Sequence, residues 1–375
     1  MMPVALSAPL YRVVGIGTLQ DVGGSARAIN ANHAVAGSID GAAFTWANGT
    51  LTLYRPPKAL DPDDVASSVA TAIASDGTAA GSLGTYGPVA MSGLETATAA
   101  LFRNGAISYL DRSRNETFEA FGINDRDTVV GVDAYRGFVR DADGSIANIV
   151  PLSTRSDWNG SAASAIDNAG IIVGATTVNV PWTFDAALPP PQDGYAPARH
   201  SVEALPIHAF EMTRSASGQH MRDLGTIPGF LDTYATALNA GGIVVGYSGT
   251  TSGPKWSLVE GPSHAWVYER GRMRDLGVRK PGDSSYALGI NDAGTIVGCS
   301  GPTQRVPWLQ TGAPPSSRDV AVRWVDNGIQ NLNALIPANS GWKLLCARAI
   351  DRDGWIVGDG LYDGSPRAFV LEPRS

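Results

Sequence analysis

Two sets of side chains in this sequence place acids, phenols and bases at matching positions of a repeated phrase. Four residues before a recurrent Ile stand Glu119, Tyr234 and Tyr286, and directly after a recurrent Gly stand Tyr247 and Asp359. Carboxylates and phenols can carry general acid–base catalysis without a cofactor. If the fold brings both sets to one cavity, a carboxylate would act as the general base and Tyr234 or Tyr286 as the acid or oxyanion donor.

Other side chains close to the same phrase favour ligand binding. Arg27 and Arg348 stand two residues before the Ile of the first and last units. Large aromatic residues in the neighbouring loops could stack a sugar, a planar ligand or a peptide, or could form small cores for the loops themselves. These loop candidates are Trp158, Phe230, Trp342, Trp182, Trp256, Trp308 and, as a polar residue among them, His200.

The phrase itself recurs seven times and predicts the fold. It runs small-x-small-Ile-Asn/Asp, a short turn that often contains Gly, a β-branched pair and a Gly. The Ile or Leu residues are Ile29, Ile73, Ile123, Ile166, Leu238, Ile290 and Ile350. Each unit indicates four short strands, A to D, by its apolar alternation and its β-branched and aromatic residues. Four strands at this spacing are typical of β-propeller blades.

The two ends of the chain predict how the ring closes. The seventh unit ends at Ala368-Phe369 with too few residues left for strand D, whereas Tyr11 to Leu19 precede the first strand A and resemble a strand D. An N-terminal strand that pairs with the C-terminal blade would remove two exposed sheet edges. The sequence therefore predicts one all-β domain over residues 1–375, a seven-bladed β-propeller of four-stranded blades.

Strand A carries Ala or Gly at three residues and at one residue before the Ile in every unit. Alternate residues of a strand share a face. We therefore expect a single crowded face, where the innermost strands converge on the propeller axis.

Loop lengths divide the two faces of the predicted disc. The A–B and C–D connections are tight turns rich in Asn, Asp and Gly, which turn chemistry explains. The B–C loops include long insertions at residues 82–99, 175–208, 247–264 and 299–320. Long loops are uncommon unless functional or disordered. The long-loop face is therefore the predicted working surface.

The composition of the chain limits the kinds of partner and cofactor that we expect it to bind. The chain has 28 Lys and Arg against 35 Asp and Glu, a net charge of −7, which disfavours a nucleic-acid partner. No apolar run is long enough for a membrane span, and no Cys/His spacing fits a zinc site, so we expect no membrane partner, no metal and no cofactor. The oligomeric state stays open, and a monomer is compatible with the sequence.

The redox state of the two cysteines is linked to the cellular compartment of the protein. Cys299 and Cys346 fall near the predicted cavity mouth on adjacent units, so a disulfide is conceivable. The lack of a recognisable secretory leader favours a cytoplasmic protein with two free thiols. An extracellular location follows if a leader has been removed.

Several phrases resemble those of the HAF repeat family, bacterial repeats usually described as extracellular. They are His208-Ala209-Phe210, His264-Ala265-Trp266, Asp223-Leu224-Gly225-Thr226 and Ile290-Asn291 with the Gly-x-Ile-Val-Gly that follows. The resemblance covers nearly the whole chain and implies a β-propeller and an extracellular setting. It supplies no catalytic motif, so His208 and His264 are expected to be structural.

The leading hypothesis is a ligand-recognition propeller that binds a small molecule, glycan or peptide in an aromatic-lined cavity on the long-loop face. The alternative is a cofactor-free acid–base enzyme, a lyase, cyclase, isomerase or hydrolase, at the same cavity. A third hypothesis, a protein-interaction platform, predicts a broad exposed apolar patch instead of a cavity.

Overall fold

A computed structural model arranges the chain as seven four-stranded antiparallel sheets. The fold is the predicted all-β, seven-bladed β-propeller. The structure describes residues 10–17, 23–56, 66–86, 94–111, 117–154, 159–179, 206–249, 263–302, 316–326 and 328–374.

The first strand, β1 (Tyr11–Gly15), belongs to the last blade, and blades one to three follow it in chain order. Their strands are β2 (Ser25–Ile29), β3 (Val35–Ile39), β4 (Ala42–Ala47) and β5 (Thr50–Tyr54); β6 (Ala66–Ile73), β7 (Ala79–Tyr86), β8 (Leu94–Arg103) and β9 (Ala106–Tyr109); β10 (Phe118–Ile123), β11 (Val129–Asp133), β12 (Arg136–Arg140) and β13 (Ile146–Asn148).

Blades four to six repeat the same order, and a 3-10 helix, Leu332–Leu335, follows blade six. The strands are β14 (Ser161–Ile166), β15 (Ile172–Thr177), β16 (Ile207–Ser215) and β17 (Gly218–Gly225); β18 (Asp232–Leu238), β19 (Val244–Gly249), β20 (His264–Glu269) and β21 (Arg272–Gly277); β22 (Ser284–Ile290), β23 (Ile296–Gly301), β24 (Val320–Val325) and β25 (Gly328–Asn331).

Blade seven closes the ring as predicted. It holds β26 (Trp342–Ile350), β27 (Ile356–Tyr362) and β28 (Ser365–Pro373), and β1 adds the outer strand in antiparallel register from Tyr11 opposite Pro373 to Gly15 opposite Phe369. Because β1 pairs with β28, the edges that these two strands turn toward each other are both hydrogen-bonded. The hydrophobic core lies between neighbouring sheets, as where Phe44 of blade one packs near Val357 of blade seven.

A β-bulge interrupts the first strand of every blade. In blade one, Ala26 pairs with Gly37 and Ala28 pairs with Ala36, so Arg27 is an extra residue without a partner in the ladder. The same register shift recurs in the other six blades at Thr71, Phe121, Ser164, Thr236, Leu288 and Arg348.

The second strand of each blade carries a glycine that faces this bulge. A Cβ on Gly81 would lie 1.9 Å from the carbonyl oxygen of Val69, and a Cβ on Gly298 would lie 1.8 Å from that of Tyr286. Neither distance can be relieved without moving backbone. The recurrent glycine of the phrase is therefore required by a close approach between two strands.

The bulge corrects the expectation of one crowded face. The two small residues of strand A pair with adjacent residues of strand B, so they lie on opposite faces of the sheet. Ala26 is fully buried, whereas Ala28 lines the axial cavity. A Cβ on Gly289, which stands at the second small position, would lie 3.0 Å from Ala349 Cα of the next blade. This second position is small because a neighbouring blade packs against it.

Hydroxyl side chains join neighbouring blades. Thr233 Oγ1, on the first strand of blade five, accepts from Ala209 N at 2.9 Å and donates to Gly225 O at 2.7 Å, both in blade four. Ser68, Ser161 and Ser285 make the same pair of contacts with their preceding blades.

Asn side chains join the blades at the opposite face. Asn239 Oδ1 accepts from Gly241 N and Ile243 N of its own turn, and Asn239 Nδ2 donates to Asn291 O of the next blade. The equivalent amides donate from Asn30 to Ala74 O, from Asn124 to Asp167 O and from Asn291 to Asp351 O. The recurrent Asn therefore caps its own hairpin, as turn chemistry predicts, and also tethers the following blade.

Replacing the bulge-facing glycine tests the close approach. Gly81→Ala should lower the free energy of unfolding by roughly 2–4 kcal/mol, because its Cβ would meet backbone that cannot yield cheaply. The measurement is urea denaturation followed by circular dichroism. Gly328→Ala is the matched control, since the nearest atom to its Cβ is Val325 O at 3.5 Å. Equal stability of the two variants would contradict the assignment.

Thr233→Val tests the tether between blades four and five. Valine keeps the shape but leaves Ala209 N and Gly225 O without their partner, so stability should fall by roughly 1–3 kcal/mol. Thr50→Val, at an exposed strand position, should change it little. A negligible loss at Thr233 would show that the hydroxyl contributes nothing to blade docking.

Candidate functional site

A cavity of about 380 Å³ lies on the axis of the propeller, inside the ring of first strands. The extra residue of each bulge turns its side chain toward this cavity, so every blade contributes one residue at the same level. These seven residues are Arg27, Thr71, Phe121, Ser164, Thr236, Leu288 and Arg348. Of these seven residues, the sequence predicts only the two arginines as site residues. The other five could have been found from their position between the two small residues, where the residue type differs from unit to unit.

The two predicted sets of variable residues do meet within each blade. The residue four before the Ile pairs directly with the residue after the strand B Gly in all seven sheets. The pairs are Ser25 with Ser38, Val69 with Ser82, Glu119 with Val132, Ala162 with Ala175, Tyr234 with Tyr247, Tyr286 with Cys299 and Cys346 with Asp359.

Three tyrosines from blades five and six form one side of the cavity wall. The rings of Tyr234 and Tyr247 stack with centroids 5.1 Å apart, and Tyr286 meets Tyr247 edge-on at 5.4 Å. Burial raises the pKa of Tyr247 and also raises the pKa of Tyr286. Both phenols therefore stay protonated at neutral pH and act as hydrogen-bonding groups, not as bases.

Two arginines from blades one and seven lie at the cavity on the other side. Arg348 Nε donates to Asp359 Oδ2 at 2.6 Å, and both side chains are about nine-tenths buried. This pair fixes the orientation of the Arg348 guanidinium, because two desolvated charges hold each other strongly. Arg27 projects from the adjacent bulge. Asp359 supports the cavity from behind Arg348 and is not among the residues that line it.

Cys299 and Cys346 form a disulfide with their Cα atoms 4.7 Å apart, so the expectation of free thiols is wrong. The bond joins the second strand of blade six to the first strand of blade seven, and both cysteines line the cavity. The strand register of blades six and seven brings the two cysteines together. The expectation of free thiols does not take this register into account.

The other predicted site residues lie elsewhere. Glu119 is buried at 3% exposure in β10 and is not in the cavity lining. Phe230 packs on His264 and on the core between blades four and five. Trp342 packs on Tyr362 in blade seven. Five further candidates, Trp158, Trp182, Trp256, Trp308 and His200, lie outside the described residues.

The framework histidines have structural partners. His208 Nδ1 lies 2.9 Å from Asp223 Oδ2 and His264 Nδ1 lies 2.8 Å from Asp275 Oδ2. Each aspartate also accepts from a glycine N–H two residues further on. The His of the His-Ala-aromatic phrase therefore ties strand C to strand D.

One group of described residues on the short-loop face has ligand types suited to a cation. The donor atoms of His33, Asp351 and Asp353 lie within 4.8 Å of one another. His33 Nδ1 is 2.7 Å from Asp351 Oδ2, and the ring stacks on Trp355 at 4.3 Å. These contacts account for the group as the tether between blades seven and one.

Comparisons with known proteins give distant likenesses. No family model matches the chain, so no such match supports the HAF resemblance, and no curated protein matches either. A TolB protein from Agrobacterium tumefaciens is similar at 10% identity and a TM-score of 0.41, covering 68% of this chain and 81% of that one. A gluconolactonase from Xanthomonas campestris is similar at 11% and 0.40, covering 99% and 93%.

The extracellular domain of a one-component system protein from B. thetaiotaomicron is similar at 8% identity and a TM-score of 0.48, over 96% of this chain but 39% of that one. We draw no functional argument from likenesses this distant. Within the described residues, no helix is long and apolar enough to cross a membrane.

Removing the disulfide tests its part in the cavity wall. In the double variant Cys299→Ala/Cys346→Ala, the free energy of unfolding should fall by on the order of 4 kcal/mol, because the bond closes a loop between residues 47 apart in sequence. Adding reductant should lower the stability of the wild type toward this value and leave the variant unchanged. Two thiols that react with a thiol reagent in the folded, unreduced protein would contradict the bond.

Proposed function

We propose that this protein is a ligand-recognition propeller that binds a small molecule in the central cavity. The observation that carries the proposal is the composition of the ring of bulge residues. A purely structural axis would need only small or apolar side chains, yet Arg27 and Arg348 turn charged groups into it. The ion pair with Asp359 uses one of the five N–H donors of the Arg348 guanidinium, which keeps a charged group at the cavity that an acceptor on a ligand can meet.

The size of the cavity supports a small ligand over a peptide segment. Small-molecule sites usually measure roughly 300–1,000 Å³ and bury most of the ligand. At about 380 Å³, the axial cavity stands at the small end of this range. The closed ring of blades also favours a compact molecule that enters from one face.

The polar groups support a ligand rich in hydrogen-bond acceptors. Arginine offers only donors, and the neutral phenols of Tyr247 and Tyr286 can donate as well. Arginines on one side and tyrosines on the other would hold an oxygen-rich molecule, such as a sugar or hydroxy acid, at two ends. The tyrosine rings add an apolar surface for its carbon skeleton.

The acid–base enzyme has weaker support. Asp359 is engaged by Arg348, and Glu119 lies away from the cavity lining. The raised pKa values of Tyr247 and Tyr286 suit hydrogen bonding better than proton abstraction. Neither of the two carboxylates that the sequence suggests as a general base lines the cavity; a third carboxylate, Asp319, does line it.

The disulfide supports an extracellular or other oxidising setting for this binding protein. Structural disulfides form and persist in such compartments and are rare in the cytosol. Cys299–Cys346 is buried and part of the cavity wall. This supports the extracellular alternative over the cytoplasmic one.

Filling the cavity tests the proposal directly. The protein is purified without denaturation and weighed by native mass spectrometry, which detects a retained small molecule. Ser164→Trp places a large ring at the axis and removes no described hydrogen bond, so it should abolish the adduct seen on the wild type. The melting temperature shows whether the variant is folded.

Arg270→Met is the matched control, because this arginine is exposed on a hairpin turn, with 90% of its side chain accessible. It should retain the adduct. A wild type without any adduct, or a folded Ser164→Trp variant that keeps it, would contradict the proposed site.

A further inference from the structure

A second cavity, of about 470 Å³, lies in blade seven where the N-terminal strand closes the ring. It shares no residue with the axial cavity. Its lining is Arg12, Val13, Gly15, Gly17, Pro337, Ser340, Trp342, Tyr362, Arg367 and Arg374. Of the described residues, three arginines and no carboxylate therefore line it.

Arg367 is the unusual member of this lining. It stands on β28 opposite Gly360, is only 6% exposed, and its Nε is buried without a hydrogen-bond partner. Among the described residues its guanidinium has neither a hydrogen bond nor an ion pair. Arginine is almost never buried unless it is paired, because a desolvated charge without a counterion costs several kcal/mol.

The other charged residues that the structure describes around this cavity do not pair with Arg367. Arg12 pairs with Glu372 at 3.4 Å on the surface, and Arg374 is exposed at the chain end. The described charges at this cavity therefore sum to a positive value, and the guanidinium of Arg367 presents five N–H donors. An oxyanion is the chemical group that meets this fork in a bidentate manner.

Aromatic side chains form a wall next to Arg367. Trp342 and Tyr362 pack with ring centroids 5.3 Å apart. Glycines leave room for the indole, since a Cβ on Gly15 would lie 3.1 Å from Trp342 Cζ2 and a Cβ on Gly360 3.3 Å from its Cε3. The indole is thus seated by the backbone on two sides and lies beside the cavity.

We propose that this cavity binds a small organic anion whose oxyanion group pairs with Arg367 and whose ring packs against Trp342. The site is independent of the proposed ligand of the axial cavity. The oxyanion is a carboxylate or a phosphate ester, and the ring is held by the aromatic wall.

The first test needs no ligand. In buffer whose only inorganic anion is chloride, Arg367→Met should be as stable as the wild type or more stable. Methionine removes a buried charge that has no counterion among the described residues, and it keeps an apolar stem. The measurement is urea denaturation. A clear loss of stability would show that the guanidinium is needed by the fold itself and would overturn the proposal.

The second test measures binding by calorimetry at constant ionic strength. The probes are benzoate and phenyl phosphate, with benzyl alcohol as the neutral match. The wild type and Arg270→Met should bind at least one anion and not the alcohol, and Arg367→Met should bind it roughly tenfold more weakly or worse. Whichever of the two anions binds more tightly shows whether the oxyanion group is a carboxylate or a phosphate ester.

Two results would overturn the proposal. They are a wild type that binds neither anion, and an Arg367→Met variant that binds as tightly as the wild type. Ser164→Trp serves as a further control, because blocking the axial cavity should leave this binding unchanged. The two sites can thus fail separately.

Discussion

The close approach between the bulge of each first strand and the glycine that faces it governs the rest of the structure. A carbonyl oxygen such as that of Val69 occupies the space where the Cβ of residue 81 would be. The glycine lets the bulge form, and the bulge adds one residue to the inner strand. That added residue has no partner in the ladder and lies at the axis. The seven bulges, one in each blade, therefore give the propeller one ring of variable side chains.

This constraint separates scaffold from site within a single strand. The residues on either side of the bulge must be small, because one packs in the core shared with the preceding blade and the other meets the next blade. The bulged residue itself varies in size and charge, and the chain places there two arginines, two threonines, a serine, a phenylalanine and a leucine. At two of these positions the side chain also joins the next blade, because Thr71 Oγ1 donates to Ala120 O and Thr236 Oγ1 donates to Ala287 O. Other tethers lie away from the axis, such as those of Thr233 and Asn239.

The repeat made the fold predictable, while the site was predictable only in part. Seven copies of one phrase fixed the blade count, and the incomplete last unit indicated the closure by β1. The phrase also identified Tyr234, Tyr247 and Tyr286, because their position relative to the Ile and Gly sets their register. The bulge was missed, because alternation assumes an unbroken ladder and one extra residue reverses every side chain beyond it.

Residues outside the phrase were harder to place for the same reason. The distance of Trp342 from Ile350 predicts a position at the axial mouth, but β26 carries a second irregularity and the indole packs on Tyr362. Arg367 gave no signal at all, since nothing in its neighbourhood marks a buried charge. The N-terminal residues alone predict free thiols, whereas the spacing of Cys299 and Cys346 puts them on adjacent blades, where they form the disulfide.

The most direct test of the central claim is a crystal structure of the protein purified without denaturation, examined at the propeller axis. The account predicts density for one ordered small molecule between the arginines of blades one and seven and the tyrosines of blades five and six. The molecule should accept hydrogen bonds from Arg27 or Arg348. Ordered solvent alone at the axis, or a ligand bound only at the outer loops, would contradict it.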